Sequence, residues 1–319
     1  MNILGIETSC DETAASVVKN GKEMLSNVVV SSLKEHKKYG GIIPEIASRR
    51  QLECIYPIVE EALADAGMDL KKIDAVAVTT SPGLIGSLLV GISFAKALSL
   101  AINKPLIEVD HIKAHLYSSF LSNKANSTLP KLPAIGLVVS GGHTSLYQIT
   151  SFNRFKLLGE TLDDAAGEAY DKVARILELG YPGGPVIDKI ADRDLDSTLK
   201  FNPAELPGTL NFSFSGVKTA VLYHTRKFKQ LSKAQIKEIV TAFQNSVVSI
   251  LVKKSVSACQ KTKISTLVIG GGVAANSQLR KLMLDAANKN NIKVFFPEMS
   301  LCADNAAMIA GLGYHIYKE

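Results

Sequence analysis

The chain has 319 residues, 46% of them hydrophobic and 21% charged, which fits a soluble globular protein and excludes a disordered or low-complexity one. The formal net charge of +6 and the pI near 9.0 agree with a phosphate-rich partner without requiring one. Four scattered cysteines, Cys10, Cys54, Cys259 and Cys302, form no C-x-x-C pair, which argues against a cysteine zinc site and for reduced thiols in the cytoplasm.

In chain order, the first stretch, "MNILGIETSCDETAA", has no basic region followed by an apolar run, so no signal peptide is expected. "ILGIETSCDETAASVV" (3–18) reads as strand, polar turn and strand. "EMLSNVVVSS" is a further strand candidate. Leu52, Ile55, Val59 and Ala62 then recur at helical spacing, with Pro44 near the start and Gly67 near the end. "DAVAVTT" predicts a buried strand. The most apolar stretch, 83–102, contains Lys96 and several serines and glycines. It predicts a buried helix packed through small residues, not a membrane span. "PLIEVD" is another strand, and the polar segment 123–133 with its two prolines predicts a linker. "AIGLVVSGGHTSLYQI" (134–149) repeats the strand, turn and strand pattern. After it come a strand over 153–158, a helix over 166–179, a loop "YPGGP" and a long helical region over 233–262. "TLVIGGG" and "IKVFFP" read as strands, and "NSQLRKLMLDAANKN" and "DNAAMIAGLGYHIY" as helices. Strands alternating with helices indicate an α/β protein with mixed sheets.

The two strand-turn-strand segments match at a constant offset. Gly5 aligns with Gly136, Ser9 with Ser140 and Thr13 with Thr144, a difference of 131 each time. That constancy predicts a duplicated domain. Two such polar turns facing a common cleft would make nests for phosphate. "GGGVAAN" (270–276) is neither G-x-G-x-x-G nor a P-loop, but it runs from a strand into a helix, where a nucleotide can approach the backbone. Read singly, these glycines only turn the chain; with the repeat they favour a nucleotide cleft. The densest basic stretches, 34–41 and 224–237, read as solvated faces.

His111 and His115 stand four apart in "DHIKAHL", one turn apart on one helix face. Such a pair directly after an apolar strand is a candidate metal site. The residue after His111 is Ile112, so the glutamate base of an H-E-x-x-H peptidase is missing. A third ligand is needed, and Asp304 in "SLCADNAAM" lies after a strand and loop at a helix start. Periodicity alone does not single it out. Two histidines and a carboxylate suit Fe(II), and zinc also fits.

The segments "GIETSCDETAA", "GGIIPEIASR", "SPGLIGSLLVG", "DHIKAHL", "VVSGGHT", "LDDAAGEAYDKVARILELGYPGGP", "NFSFSGVKTA", "GGGVAAN" and "CADNAAMIA" together resemble the TsaD family of tRNA N6-adenosine threonylcarbamoyltransferases, in its bacterial form. The resemblance runs along essentially the whole chain. It implies duplicated actin-like (ribonuclease H-like) domains with mixed sheets around a central nucleotide cleft. Domains of 1–129, joined by the C-terminal helix 304–319, and of 130–303 are expected. It implies transfer of a threonylcarbamoyl group from threonylcarbamoyl-AMP to N6 of adenosine 37 in tRNAs reading codons that start with A. By residue match, His111, His115 and Asp304 would hold one divalent metal ion per subunit, Fe(II) or zinc. Val138, Val139, Ser140, Gly141 and Gly142 would contact substrate, with Asp171, Gly184, Asp188 and Asn276 around the nucleotide. Asp11 and Glu12, in the first turn, are candidates for taking the proton from the adenine amino group; either could instead cap the turn.

The implied partners are tRNA, an upstream adenylate-forming enzyme, a paralogous dimer partner and a small ATPase, in the cytoplasm and without a membrane. Two positions depart from the family pattern as this chain presents it. The resemblance implies His in many relatives at the position of Gln51, and Glu or another residue at that of Lys113. Lys113 lies off the helix face of the two histidines. The rival readings are an ATPase or kinase of the same superfamily, a metallopeptidase, or a scaffold without catalysis.

Overall fold

Two mixed sheets carry the fold in the computed structural model, which describes residues 1–121, 128–192, 195, 198–203 and 206–318. Residues 123–127 of the expected linker lie outside the described residues. The chain divides into two compact units. One comprises Met1–Pro130, Ser151–Arg154 and Pro297–Glu319, the other Lys131–Thr150 and Phe155–Phe296.

In the first unit, β1 (Asn2–Glu7) and β2 (Glu12–Lys19) form an antiparallel hairpin. The expected strand "EMLSNVVVSS" is split into β3 (Glu23–Met24) and β4 (Val28–Ser31), both paired with β2. The short helix α1 (Leu33–His36) precedes α2 (Pro44–Asp65), whose Pro44 sits at a helix start where no N–H is needed. Then follow β5 (Ala75–Ser81), α3 (Ile85–Ile102), β6 (Leu106–Asp110) and α4 (His111–Tyr117). The sheet order is β3-β2-β1-β5-β6, with β1, β5 and β6 parallel. The core of this unit is an aliphatic cluster that includes Leu4, Ile6, Val17, Ile58, Ala62, Val76 and Val78. Each leucine, isoleucine or valine among them, fully buried, contributes about 1.5–3 kcal/mol.

In the second unit, β7 (Ala134–Val139), β8 (Thr144–Ser151) and β9 (Arg154–Glu160) lead into α5 (Ala166–Ile176), α6 (Gly183–Ile190), α7 (Ser215–Thr225) and α8 (Lys233–Thr262). After them come β10 (Thr266–Gly270), α9 (Ser277–Lys289) and β11 (Lys293–Phe295). The closing helix α10 (Ala306–Lys318) belongs to the first unit. The second sheet runs β9-β8-β7-β10-β11, and β7, β10 and β11 are parallel.

The duplication extends to register. Ile3 faces Val18 and Glu7 faces Ala14 in the first hairpin. Ala134 faces Ile149 and Val138 faces Ser145 in the second. The offset that relates Gly5 to Gly136 relates these pairs too. A strand that slipped by one residue would turn its apolar face outward, so shared register follows from shared patterning.

Three expectations need correction. The stretch 83–102 is a helix but not a buried one. Only Ser87, Gly91, Ala95 and Ser99 are buried, while Ile85, Leu89 and Leu100 are 81%, 58% and 82% exposed. Small residues four apart let the helix lie close on the sheet, and that leaves the large ones facing away. The expected helix over 166–179 stops at Ile176, because Glu178 and Gly180 adopt left-handed conformations, φ 55° and 92°. The "YPGGP" segment is only partly a loop, since α6 begins at Gly183. The long helix matches its predicted bounds. Its start carries a capping box in which Ser232 Oγ accepts from Gln235 N and Gln235 Oε1 accepts from Ser232 N.

Candidate functional site

The C-terminal ends of three adjacent parallel strands supply the first group of side chains. Glu7 ends β1, Thr79 lies near the end of β5 and His111 directly follows β6. α/β sheets place sites at this edge. Asp110 turns the chain into α4, its carboxylate accepting the Lys113 N–H at 2.9 Å. The helix then puts His111 and His115 on one face, ring centroids 4.5 Å apart and 74° between planes. Asp304 arrives from the turn before α10. Asn305 caps that helix by accepting from Met308 N at 3.0 Å. α10 is held against β1 at Gly5, where an added Cβ would lie 2.4 Å from the Ala306 carbonyl oxygen. Glycine is required there by close approach.

His115 Nε2 lies 3.1 Å and His111 Nε2 3.6 Å from Asp304 Oδ1. One ligand atom from each of the three residues lies within 4.8 Å of the others. His115 is fully buried, yet neither of its ring nitrogens has a hydrogen-bond partner. A buried polar atom without a partner is costly, and a bound cation satisfies Nε2. Two imidazoles and a carboxylate match the donor set of Fe(II) and zinc sites. The residues therefore fit one metal ion.

The surroundings are acidic. Burial disfavours a charged His111, but the carboxylates of Glu7 and Asp304 outweigh it and raise its pKa to about 9. Burial, with Asp304 and Asp11 close by, pushes Glu12 up to about 10. The same influences raise the Cys10 thiol well above its ordinary value, which keeps it a neutral thiol. Asp11 is buried at the same turn, and its carbonyl accepts from Ser32 N and Oγ.

Gln51, buried on α2, places its amide nitrogen within hydrogen-bond reach of the Thr8, Cys10 and Glu12 carbonyls, at 3.4, 3.0 and 3.0 Å. The amide thus fastens the turn that carries Asp11 and Glu12. α3 braces the same turn from the other side, through Thr8 Oγ1 donating to the Ser87 carbonyl and Ser87 Oγ donating to Cys10 O.

The residues expected around the nucleotide lie in the second unit. Val138 and Val139 end β7 and are buried; Gly141 and Gly142 are exposed in the turn that follows. The turn is fixed by Ser140 N donating to His143 O and by His143 N donating to Ser140 Oγ. α5 begins against this turn, and a Cβ on Gly167 would lie 2.6 Å from the Ser140 carbonyl oxygen. Asp171 accepts from Gly183 N at 2.7 Å. Burial raises its pKa, partly offset by that bond. Asp188 accepts from Ser277 N, Ser277 Oγ and Gln244 Nε2. Asn276 caps α9 at Leu279 N and donates to Gln244 Oε1. Asp188 and Asn276 thus share Gln244, and Asn276 has both ends of its amide engaged. At Gly141, Gly142, Gly184 and Gly272 an added Cβ would meet nothing within 4 Å.

Sequence reasoning missed Glu7, Thr79 and the anchoring role of Gln51. The signal for Glu7 was legible: it is the one acid in the otherwise apolar strand "ILGIE". A carboxylate buried there demands donors.

The description "tRNA N6-adenosine threonylcarbamoyltransferase" belongs to the TsaD family, whose sequence model matches residues 23–311. The chain belongs to the TsaD family. A family member from Syntrophus aciditrophicus is 48% identical over 320 residues, covering 100% of this chain and 93% of that one. One from Symbiobacterium thermophilum is 49% identical over 316 residues, covering 99% and 92%. Among solved structures, HypF from T. kodakarensis matches 99% of this chain and 48% of its own length, with a TM-score of 0.65 at 14% identity. Component A of (R)-2-hydroxyglutaryl-CoA dehydratase from Acidaminococcus fermentans covers 100% of both chains at 0.56 and 15%. These distant likenesses place the fold in the actin-like group of ATPase-fold proteins.

Proposed function

We propose that this chain transfers the threonylcarbamoyl group of threonylcarbamoyl-AMP to N6 of adenosine 37 in tRNAs that read codons starting with A. The observation that carries the reading is the family match over residues 23–311, supported by relatives of 48% and 49% identity along nearly the whole chain. The ATPase or kinase and metallopeptidase readings have no comparable support, and Ile112 stands where a peptidase needs its glutamate.

The adenine amino group is a poor nucleophile because its lone pair is delocalised into the ring. A mixed anhydride with AMP compensates by activating the acyl group. N6 attacks the carbamoyl carbon, the bond from that carbon to the phosphate oxygen breaks, AMP leaves, and N6 loses a proton. His111, His115 and Asp304 are the residues that would hold one divalent ion, Fe(II) before zinc. Bound there, it supplies Lewis-acid polarisation of the carbamoyl oxygen and a template for orientation. Asp11 and Glu12 stand at the turn beside that triad as acceptors for the N6 proton. Glu12, raised to about 10, keeps its own proton at neutral pH in the metal-free chain, and positive charge at the triad would lower it.

Beyond the buried Val138 and Val139, the turn offers the exposed backbone of Gly141 and Gly142 and the Ser140 hydroxyl to the adenylate. Asp171 and Asp188 accept from ribose hydroxyls; Asp188 takes three bonds already, which leaves about one of its four lone-pair sites. Gly184 keeps side-chain bulk away, and Asn276 positions Gln244 behind them.

The remaining partners are an adenylate-forming enzyme upstream, a paralogue and a small ATPase. The apolar face of α2 and α3 suits the paralogue. Leu52, Tyr56, Ile85 and Leu89 are exposed there, beside an apolar groove of about 350 Å³ lined by Leu52, Ile55, Leu89, Val90, Ser93 and Phe94. α3 is long and apolar enough to cross a membrane, but its small-residue stripe is seated on the sheet, so we read it as a docking helix of a cytoplasmic protein.

Reconstitution tests the reading. The chain is combined with threonylcarbamoyl-AMP, its accessory proteins and unmodified tRNA, and nucleosides are analysed by mass spectrometry. Threonylcarbamoyladenosine from the parent and none from His111→Ala/His115→Ala is expected. No product from the parent, with accessory proteins active on a known family member, overturns it.

A further inference from the structure

Glu7 is a carboxylate with no exposure to solvent at the end of a strand whose other inward residues are apolar. Its position is over-determined. Oε1 accepts the Ser9 backbone N–H at 2.5 Å, and Oε2 accepts the Thr79 hydroxyl at 2.5 Å. Those two donors come from the β1–β2 turn and from β5, and they fix the plane of the carboxylate. Oε2 then lies 3.0 Å from His111 Nδ1, with Ser9 Oγ 3.2 Å from the same nitrogen. A buried ion pair of this kind adds little to stability compared with apolar packing, so its presence asks for another reason.

We infer that Glu7 is a positioning residue of the metal centre, which keeps hydrogen on His111 Nδ1 when a metal displaces the Nε2 proton, and aims Nε2 toward Asp304 and the face shared with His115. The inference rests on the metal reading given above. An imidazole offered a carboxylate at Nδ1 keeps its hydrogen there, so Nε2 is left as the lone-pair nitrogen. That nitrogen is the one 3.6 Å from Asp304 Oδ1. Carboxylate–histidine pairs behind metal sites fix the ring and make it a better donor. His115 shows the contrast: among the described residues its Nδ1 has no hydrogen-bond partner, so nothing behind the ring fixes its tautomer, and its polar neighbour at Nε2 is Asp304. The two ligands are therefore unequal, and His111 is the anchored one.

The test measures Zn(II) affinity by chelator competition in the parent, Glu7→Gln and His115→Ala, and reads the ring tautomers of the zinc-loaded parent by long-range ¹H–¹⁵N NMR. Glu7→Gln keeps the shape and a hydrogen-bonding group but removes the charge. We expect its Zn(II) affinity to fall roughly 10- to 100-fold, and the parent's His111 to carry hydrogen on Nδ1 and zinc on Nε2. A Glu7 that only braced the turn would lower thermal stability while the folded protein bound zinc as tightly as the parent; that outcome overturns the inference. So does zinc on His111 Nδ1, a readout on the parent that stands even if Glu7→Gln fails to fold. Failure of the metal reading looks different: parent and His115→Ala would then both lack a tight zinc site, and this inference would fall with it.

Discussion

His115 carries the most information per atom in the molecule. Buried polar atoms are nearly always satisfied, yet among the described residues neither nitrogen of this ring makes a hydrogen bond, and Nε2 has only the Asp304 carboxylate at 3.1 Å. We predict that Zn(II) or Fe(II) stabilises the parent chain, by about 2.7 kcal/mol when free ion is 100 times its Kd, and that His115→Ala abolishes the gain. Thermal melts with and without ion check this; an undiminished shift in the variant contradicts it. Gly5 sets the position of the third ligand. Gly5→Ala would press its methyl on the Ala306 carbonyl and Ala310, at a predicted cost of about 1–3 kcal/mol, read by urea denaturation. A variant as stable as the parent would show that α10 can shift freely away from β1.

At the scale of elements, Asp164 joins two helices of the second unit. It receives Lys172 from α5 at 2.6 Å and Lys218 from α7 at 2.7 Å. Burial opposes its ionisation, but the two ammonium groups outweigh burial and hold its pKa below the usual carboxylate range. A depressed folded pKa gives stability that is fully present above the unfolded value, near ~3.9, and is lost as pH falls through the lower folded value. Asp164→Asn is therefore predicted to be less stable at neutral pH, with the gap to the parent closing in acid. A gap that stays constant down to pH 2 contradicts the assignment. For α3, Leu89→Glu is predicted to leave thermal stability within about 0.5 kcal/mol of the parent, because the side chain is 58% exposed, and to abolish binding to the paralogous partner in size-exclusion chromatography. Unimpaired binding would move the docking surface elsewhere.

The sequence made α3 hard to read for a physical reason. Hydropathy counts apolar residues but not which face they occupy, and here the small residues are inside. The long helix, by contrast, was legible in its bounds, and the structure adds the reason for its start in the Ser232–Gln235 capping box. The histidine pair was legible because four residues make one helical turn. Asp304 was not, since it reaches the pair from a different element, almost 190 residues later. Glu7 was visible as an acid in an apolar strand, but its partner was not, because only the parallel pairing of β1, β5 and β6 brings Glu7, Thr79 and His111 together.

For the whole molecule, the duplication was the most legible feature, since a shared register keeps turn residues at a fixed offset. The net charge of +6 acquires a partner in tRNA. Its binding should weaken steeply between 50 and 200 mM salt, with log K linear in log salt, as counterion release requires. Transfer is proposed to depend on an ion held by His111, His115 and Asp304. The direct measurement is transfer to tRNA after the chain is stripped with chelator and titrated with Fe(II), with bound iron counted per chain. Activity is expected to disappear on stripping, to return in step with one iron per chain, and not to return in His115→Ala. Full activity in the stripped chain, or full recovery in the variant, would contradict it.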